Sequence, residues 1–339
     1  MKVRGKASIS DVAAHAGVSK ATVSRVLNQD DVVDARMVKA VKAAIKELKY
    51  SPRPNRKRKG HLAPPQRELG FGSMAFIFPG EEHYSLRTPL SLHLLEGAER
   101  YVFENTINLI PAFWQLKTAK KNEQVPVCMQ NRQIDGLICR SMYPEIIDFA
   151  KRAKLPVVQV FEGPSGLVET DIVCPDNFAV TQLAFNSLKG HDRIAIINAW
   201  PTHPVALKRK AFFEELARAN AVDVIYYESD SPNEAVQLFL NDTKRPDAVV
   251  VLSEDETVDP LLANMHAKGL KAGNDIDIAS VIQESVRYTH LDGHIHMIDI
   301  CADQIGFIAC KTLHERIRNP QLACRKTLVS PVLKGVSNA

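Results

Sequence analysis

Between residues 8 and 28 the chain carries a helix cap, a glycine and a second cap, an order that leaves little choice of local fold. Ser8 followed three positions later by Asp11 is a capping box, in which each side chain satisfies a backbone N–H left open at the start of a helix. Asp11 also sits at the positive end of that helix's dipole. Ile9, Val12, Ala13 and Ala16 fall on one face of the helix predicted over 9–16. Gly17 accepts the left-handed conformation that ends a helix. Val18 turns inward and Ser19 caps a second helix over 20–27, with Val23, Val26 and Leu27 inside and Lys20, Ala21, Thr22, Ser24 and Arg25 outside. A third helix opens at Asp34, carries Val38, Val41, Ile45 and Leu48 at a/d-like spacing, and is ended by Tyr50 and Pro52. Two short helices joined by a tight glycine-containing turn and buttressed by a third are the helix-turn-helix arrangement.

Charge is concentrated on the same stretch. Residues 1–60 hold fifteen Lys/Arg against five Asp/Glu, a surplus of ten, so the chain's net +4 leaves −6 for residues 61–339. A compact basic module on an acidic body is the electrostatic footprint of a nucleic-acid binder. The second helix of such a motif lies in the major groove. Arg25 can grip guanine through two parallel hydrogen bonds and Lys20 can reach its O6/N7 edge. Thr22, Ser24 and Asn28 suit phosphate oxygens, which fix register rather than sequence, and Ser8 joins this DNA-facing set. The run ISDVAAHAGVSKATVSRVLN at 9–28 resembles the headpiece of the lactose-repressor/galactose-repressor family of bacterial transcription regulators. The resemblance implies that Lys20, Ala21 and Arg25 read operator bases.

Family members follow the third helix with a Y-x-P-N-x-x-A-R-x-L segment whose paired leucines wedge into the minor groove. Here Tyr50 and Pro52 match, Arg56 stands where alanine is usual, and Lys59 takes the leucine position. Lysine cannot unstack bases as an apolar wedge does, and like charges at 56–59 repel until phosphates screen them. Arg53, Asn55, Arg56, Lys57 and Lys59 are therefore expected to form a basic arm on the DNA that kinks it less than the family norm.

From Leu69 onward, apolar runs at 74–78, 107–110, 134–139, 157–161, 193–198, 224–227, 248–252 and 276–282 alternate with helical patterns at 90–104, 144–153, 179–189, 206–220, 234–241 and 259–268. Continuous rather than alternating apolar strands separated by helices predict α/β architecture with parallel sheets covered on both faces. Ligands of such folds sit at the carboxyl ends of the strands. IDGLI at 134–138, LPVV at 155–158, DN at 176–177, GHDRIA at 190–195 and PDA at 246–248 are similar to the family's periplasmic-binding-protein-like body of two lobes.

On that resemblance, 1–52 is the all-α head, 53–68 a basic hinge and 69–339 an effector-binding and dimerisation body. Lobe one takes about 69–170 plus 299–325, and lobe two about 171–298 plus 326–339. The family's pocket positions fall on Ser91, Phe161, Arg209, Ser253, Glu254 and Glu284. A guanidinium and carboxylates beside an apolar stacking surface suit a sugar or sugar derivative. The implied protein is a homodimeric repressor whose affinity for a palindromic operator in double-stranded DNA is switched when a small carbohydrate closes the lobes.

The remaining sequence narrows the function classes. No apolar run approaches the roughly eighteen residues of a membrane span, and no apolar segment follows the basic N-terminus, so a cytoplasmic, nucleoid-associated protein is expected. The six cysteines include no C-x-x-C pair, which argues against a zinc knuckle or redox motif. A nucleophile elbow and a glycine-rich phosphate loop are missing too, so an enzyme, a bound metal and a cofactor are not expected. Two other readings stand beside the sensor. One is a DNA-binding regulator with a decayed pocket, controlled by a protein partner. The other is a metal-binding, hydrolytic body built on His290, Asp292, His294 and His296, which recur at period two as ligands on one strand face would.

Overall fold

The computed structural model describes residues 8–27, 34–48, 50, 70–79, 88–114, 125–140, 143–163, 170–252, 256–283, 288, 291 and 294–334. By internal contacts the chain divides into two units, Met1–Gln66 and Arg67–Ala339.

In the first unit α1 (Ile9–Ala16), α2 (Lys20–Leu27) and α3 (Ala35–Glu47) close over Val12, Ala13, Val23, Val41 and Ala44. The capping box of α1 is formed: Ser8 Oγ accepts from the Asp11 N–H at 3.4 Å, and the Asp11 carboxylate accepts from the Ser8 N–H at 2.7 Å. Gly17 has φ 65° and ψ 30°; its N–H and that of Val18 return to the carbonyls of Ala14 and Ala13 at 3.4 and 3.1 Å. That pair of bonds ends α1 and turns Val18 onto the core. In α3 the inner face differs by one place from the apolar spacing. Ala44 is fully buried, whereas Val38 is only half-buried and Ile45 and Leu48 pack from the side.

The second unit begins with β1 (Ser73–Pro79), α4 (Pro89–Glu104), β2 (Asn108–Trp114), α5 (Val127–Gln130), β3 (Gly136–Arg140), α6 (Pro144–Ala153), β4 (Val157–Val160) and β5 (Asp171–Pro175). It continues through α7 (Asn177–Ser187), β6 (Arg193–Ala199), α8 (Pro204–Ala219), β7 (Asp223–Ser229), α9 (Pro232–Asn241), β8 (Ala248–Val251), α10 (Val258–Ala267) and β9 (Asp277–Val281). It ends with β10 (Ile295–Asp299), α11 (Ala302–Arg318), β11 (Lys326–Val329) and β12 (Val332–Lys334). Among the described residues the strands form two six-stranded sheets, ordered β11-β5-β4-β3-β1-β2 and β12-β10-β9-β8-β6-β7. Neighbours pair in parallel except β10 with β12. Burial on both faces explains the unbroken apolar runs: residues 74–78 and 248–251 are each at most 1% exposed.

Each sheet with its helices is one lobe, and among the described residues the chain passes between lobes near 176, 300 and 330. This moves the lobe boundaries expected from the resemblance. Residues 171–175 and 326–329 pair with each other in the first sheet, not in lobe two, while Asp299 ends a strand of the second sheet rather than opening lobe one's second segment. The reason is a buried carboxylate. Asp171, 2% exposed at the head of β5, accepts from Arg316 of α11 at 2.7 and 3.1 Å and from the Arg325 N–H at 3.1 Å. That two-pronged pair fastens β5, α11 and the approach to β11 into one lobe.

Helices α4 and α11 meet backbone to backbone. A Cβ on Gly97 of α4 would lie 1.6 Å from the Asp303 carbonyl oxygen, and one on Gly306 of α11 would lie 1.9 Å from the Leu94 carbonyl oxygen. Beside this crossing, Tyr101 Oη and His314 Nδ1 are 2.9 Å apart in a buried pair.

At the amino ends of the second sheet, His191 bridges Asp247 (Nδ1 to Oδ1, 3.1 Å) and Asp277 (Nε2 to Oδ2, 2.8 Å). Partial burial pulls the imidazole pKa down, but the Asp277 and Asp247 carboxylates outweigh that and hold it above the usual histidine value. A pKa raised on folding gives stability that is complete below the unfolded value of about 6.5 and lost as pH rises through the folded one. His191→Gln is therefore expected to lower the melting temperature more at pH 5.5 than at pH 8.5, read by thermal denaturation of both proteins across that range. An equal drop at both pH values would show that the contacts, not the charge, matter.

Candidate functional site

Lys20, Ala21 and Arg25 are exposed on α2, while Thr22 and Ser24 are half-buried beside the core residue Val23. Positions 20, 21, 24 and 25 share one face of a helix, so the set expected to meet bases and phosphates is presented together. Ser19 accepts from the Thr22 N–H at 3.1 Å, and the two hydroxyls lie 2.9 Å apart. Thr22 thus helps close the helix start as well as facing out. Ser8 is likewise engaged as a cap, its hydroxyl donating to Asp11 at 2.7 Å. These hydrogen bonds from Ser8 hold the Asp11 carboxyl below its usual pKa. His15 of α1 reaches Glu47 of α3 at 2.7 Å, tying the flanking helices. Asn28, Arg53, Asn55, Arg56, Lys57 and Lys59 lie outside the described residues.

In the body a cleft of about 860 Å³, open mouth included, lies between the lobes at the carboxyl ends of the parallel strands. Lobe one supplies Arg140 from the end of β3 and Phe161 and Glu162 from just past β4. Lobe two supplies Ala199 and Trp200 from the end of β6, His203, Val205, Ala206 and Arg209 around the start of α8, and Glu256 and Thr257 before α10. Of the positions named from the sequence, the fold brings Phe161 and Arg209 together here.

Arg209 is 4% exposed and firmly placed. Its Nε donates to Asn177 Oδ1 at 2.9 Å and its Nη1 to the Leu252 carbonyl at 2.6 Å, so α7 and the end of β8 both aim it. Glu162 bridges the lobes by accepting from Lys208 of α8 and, at 2.7 Å, from Lys326 of β11. Burial alone would raise its pKa; the two lysines overcome that and keep the carboxyl below the usual range. The Arg140 guanidinium lies 5.6 Å from the centre of the Phe161 ring. His203 caps α8, its Nδ1 accepting from the Val205 N–H at 3.3 Å. Burial, and after it the positive charges of Arg140 and Arg209, push its pKa below the usual histidine value. Phe161 and Trp200, on opposite lobes, both have positive φ, 68° and 66°. Bulky side chains rarely adopt that backbone, and such strain gathers at binding sites.

Ser91 does not line this cleft. It is 2% exposed and closes the first turn of α4, accepting from the Thr88 hydroxyl at 3.1 Å, so the structure gives it a capping role. Ser253, Glu254 and Glu284 lie outside the described residues. Arg140, Glu162, Trp200 and His203 were not foreseen, although all stand at or just past the carboxyl end of a parallel strand, the signal that could have found them.

Of the period-two set, His290 and Asp292 lie outside the described residues. His294 is exposed, and half-burial in β10 pushes the His296 pKa down. Among the described residues no three His, Cys, Asp or Glu side chains are grouped to hold a metal ion. Cys139 and Cys310 are buried, which pushes their thiols up to about 12. Among the described residues no helix is long and apolar enough to cross a membrane.

Two family models match the chain. Residues 8–53 match bacterial regulatory proteins of the lacI family, and 187–337 match the periplasmic binding protein-like domain. The ribose operon repressor of Escherichia coli (strain K12) is 27% identical over 348 residues, spanning 96% of this chain and 98% of that protein. A lac repressor dimer bound to operator and an anti-inducer superposes with TM-score 0.65 and 18% identity, over 97% of this chain and 98% of its own. A complex of the transcriptional regulator CelR with cellobiose also gives TM-score 0.65, at 20% identity, over 96% of this chain and 98% of that one.

Proposed function

This chain belongs to the lacI family of bacterial regulatory proteins, and we propose on that footing that it is a transcription repressor whose operator affinity is set by a small polyhydroxylated ligand in the cleft between its lobes. The observation that carries this reading is the capped α2 with Lys20, Ala21 and Arg25 exposed on one face, in the strongly basic part of the chain. A single head contacts few base pairs, so a two-fold dimer on a palindromic operator is the working form. The lac repressor dimer on its operator supports that assembly, and the CelR–cellobiose complex supports a carbohydrate as the ligand class. We place the head at 1–52, the hinge at 53–68 and the body at 69–339. The hinge is a basic arm along the operator, and the protein acts in the cytoplasm on the nucleoid.

The switch is a shift between open and closed bodies. A ligand that touches Phe161 and Arg209 at once binds the closed form better, and the free-energy difference biases how the paired heads are spaced. A decayed pocket is not favoured, because Arg209 is buried and held in place rather than released to solvent. Hydrolysis is not favoured either; the matched relatives are named as regulators.

Operator fragments recovered by genome-wide mapping of bound sites, titrated with the protein in the presence of a panel of sugars and sugar derivatives, test the proposal. At least one compound is expected to change operator affinity. Arg209→Lys keeps the charge but loses the planar fork, and is expected to weaken that compound on the order of 10- to 100-fold. Failure of every compound to move operator affinity would overturn the sensor reading.

A further inference from the structure

Resting on the cleft as a ligand sensor, we propose that its ligand is a polyhydroxylated anion, a sugar bearing a carboxylate or a phosphate ester, and that Arg140 selects the charge. Arg140 is half-buried at the end of β3, and its guanidinium lies over the Phe161 ring at 5.6 Å. Among the described residues no carboxylate pairs with it. A guanidinium is weakly hydrated, and its planar fork matches a carboxylate or phosphate.

The opposite wall reinforces the same sign. Arg209 stands there with His203, and the two arginines already disfavour a proton on that imidazole. Lys208 and Lys326, which are not themselves in the lining, engage the carboxylate Glu162, so its charge is not the one offered to Arg140. The sixteen-residue α8 and ten-residue α10 also begin at the cleft, after His203 and Thr257, and turn the positive ends of their dipoles toward it. A neutral sugar closing over Arg140 would bury that guanidinium without a counter-charge from the ligand, whereas an acidic one would neutralise it. Phe161 and Trp200 offer the apolar faces on which the carbon skeleton would rest.

The test pairs neutral and acidic probes by titration calorimetry on the full-length protein: glucose with glucose 6-phosphate, gluconate and glucuronate, and ribose with ribose 5-phosphate. An acidic member is expected to bind tighter than its neutral parent on the order of tenfold or more. The phosphorylated and carboxylated arms tell which group the site takes. Arg140→Gln is expected to bring the ratio to about one, and Arg140→Lys to retain part of it. A neutral sugar bound as well as its acidic partners, or a preference that survives Arg140→Gln, overturns the proposal and leaves the sensor reading standing. Silence across the panel, with operator affinity unmoved, overturns both.

Discussion

Gly97→Ala is expected to destabilise the body by about 3 kcal/mol, a drop in melting temperature on the order of 10 °C for a unit of this size. The added methyl meets the Asp303 carbonyl oxygen at 1.6 Å. No rotamer change relieves that contact, because the obstacle is backbone and the new atom is a Cβ. Helices α4 and α11 must therefore move apart. In doing so they pull on the Tyr101–His314 pair and on the α11 face packed against β3, β4 and β5. Gly306→Ala should behave alike, since its methyl meets Leu94 at 1.9 Å. The two losses should not add, because either substitution alone opens the same crossing. Thermal denaturation of both single variants and the double variant checks this. A change under about 0.5 kcal/mol, the size expected of an exposed helix site, would show that the crossing is looser than described.

Arg25→Ala is expected to lower operator affinity on the order of 10- to 100-fold for each half-site, and by the product of the two on a two-fold operator. Arg25 is exposed in the last turn of α2, so truncation leaves the head folded and the loss falls on recognition. The discriminating measurement is affinity for operator and for scrambled duplex at several salt concentrations. Loss of a base contact lowers the operator value far more than the scrambled one. Loss of a phosphate contact lowers both alike and flattens the salt dependence by about one charge per head. The second pattern would remove Arg25 from base reading.

The head was the most legible part of the chain, because each of its signals is local. Ser8 with Asp11, Gly17 and Ser19 each decide a helix end within a few residues, and α1 and α2 fall where those caps place them. The inner face of α3 was less so: alanine and valine carry similar apolar weight in a pattern, and only contact with α1 and α2 decides that Ala44 goes inside. In the body, strands buried on both faces announced themselves. β5 did not, because it opens on Asp171, a charge buried only by virtue of Arg316 some 145 positions later. β10 was legible as a strand only from the period-two spacing of His294 and His296, which also pointed to metal chemistry. Gly97 and Gly306 look like ordinary weak points in a helix until the two backbones are seen to touch. Most of the cleft's described lining was missed for a related reason. A pattern carried over from relatives marks only positions that relatives use, and Arg140, Trp200 and His203 are visible only as strand ends meeting in space.

The three passages between lobes also decide how this protein is made. On the ribosome, β1 to β5 emerge soon after the three helices of the first unit, but α11, which covers β3, β4 and β5, is separated from them by the whole second lobe. At bacterial elongation rates that interval lasts roughly 6–25 s, during which the nascent first lobe shows a bare apolar face to the cytosol. Its edge strand β5 waits longer still for β11. The first lobe therefore cannot finish folding as a unit during synthesis. The interval between β5 and α11 is when the growing chain most needs a chaperone, and when a destabilised crossing at Gly97 would be felt as lost yield before it was felt as lost regulation.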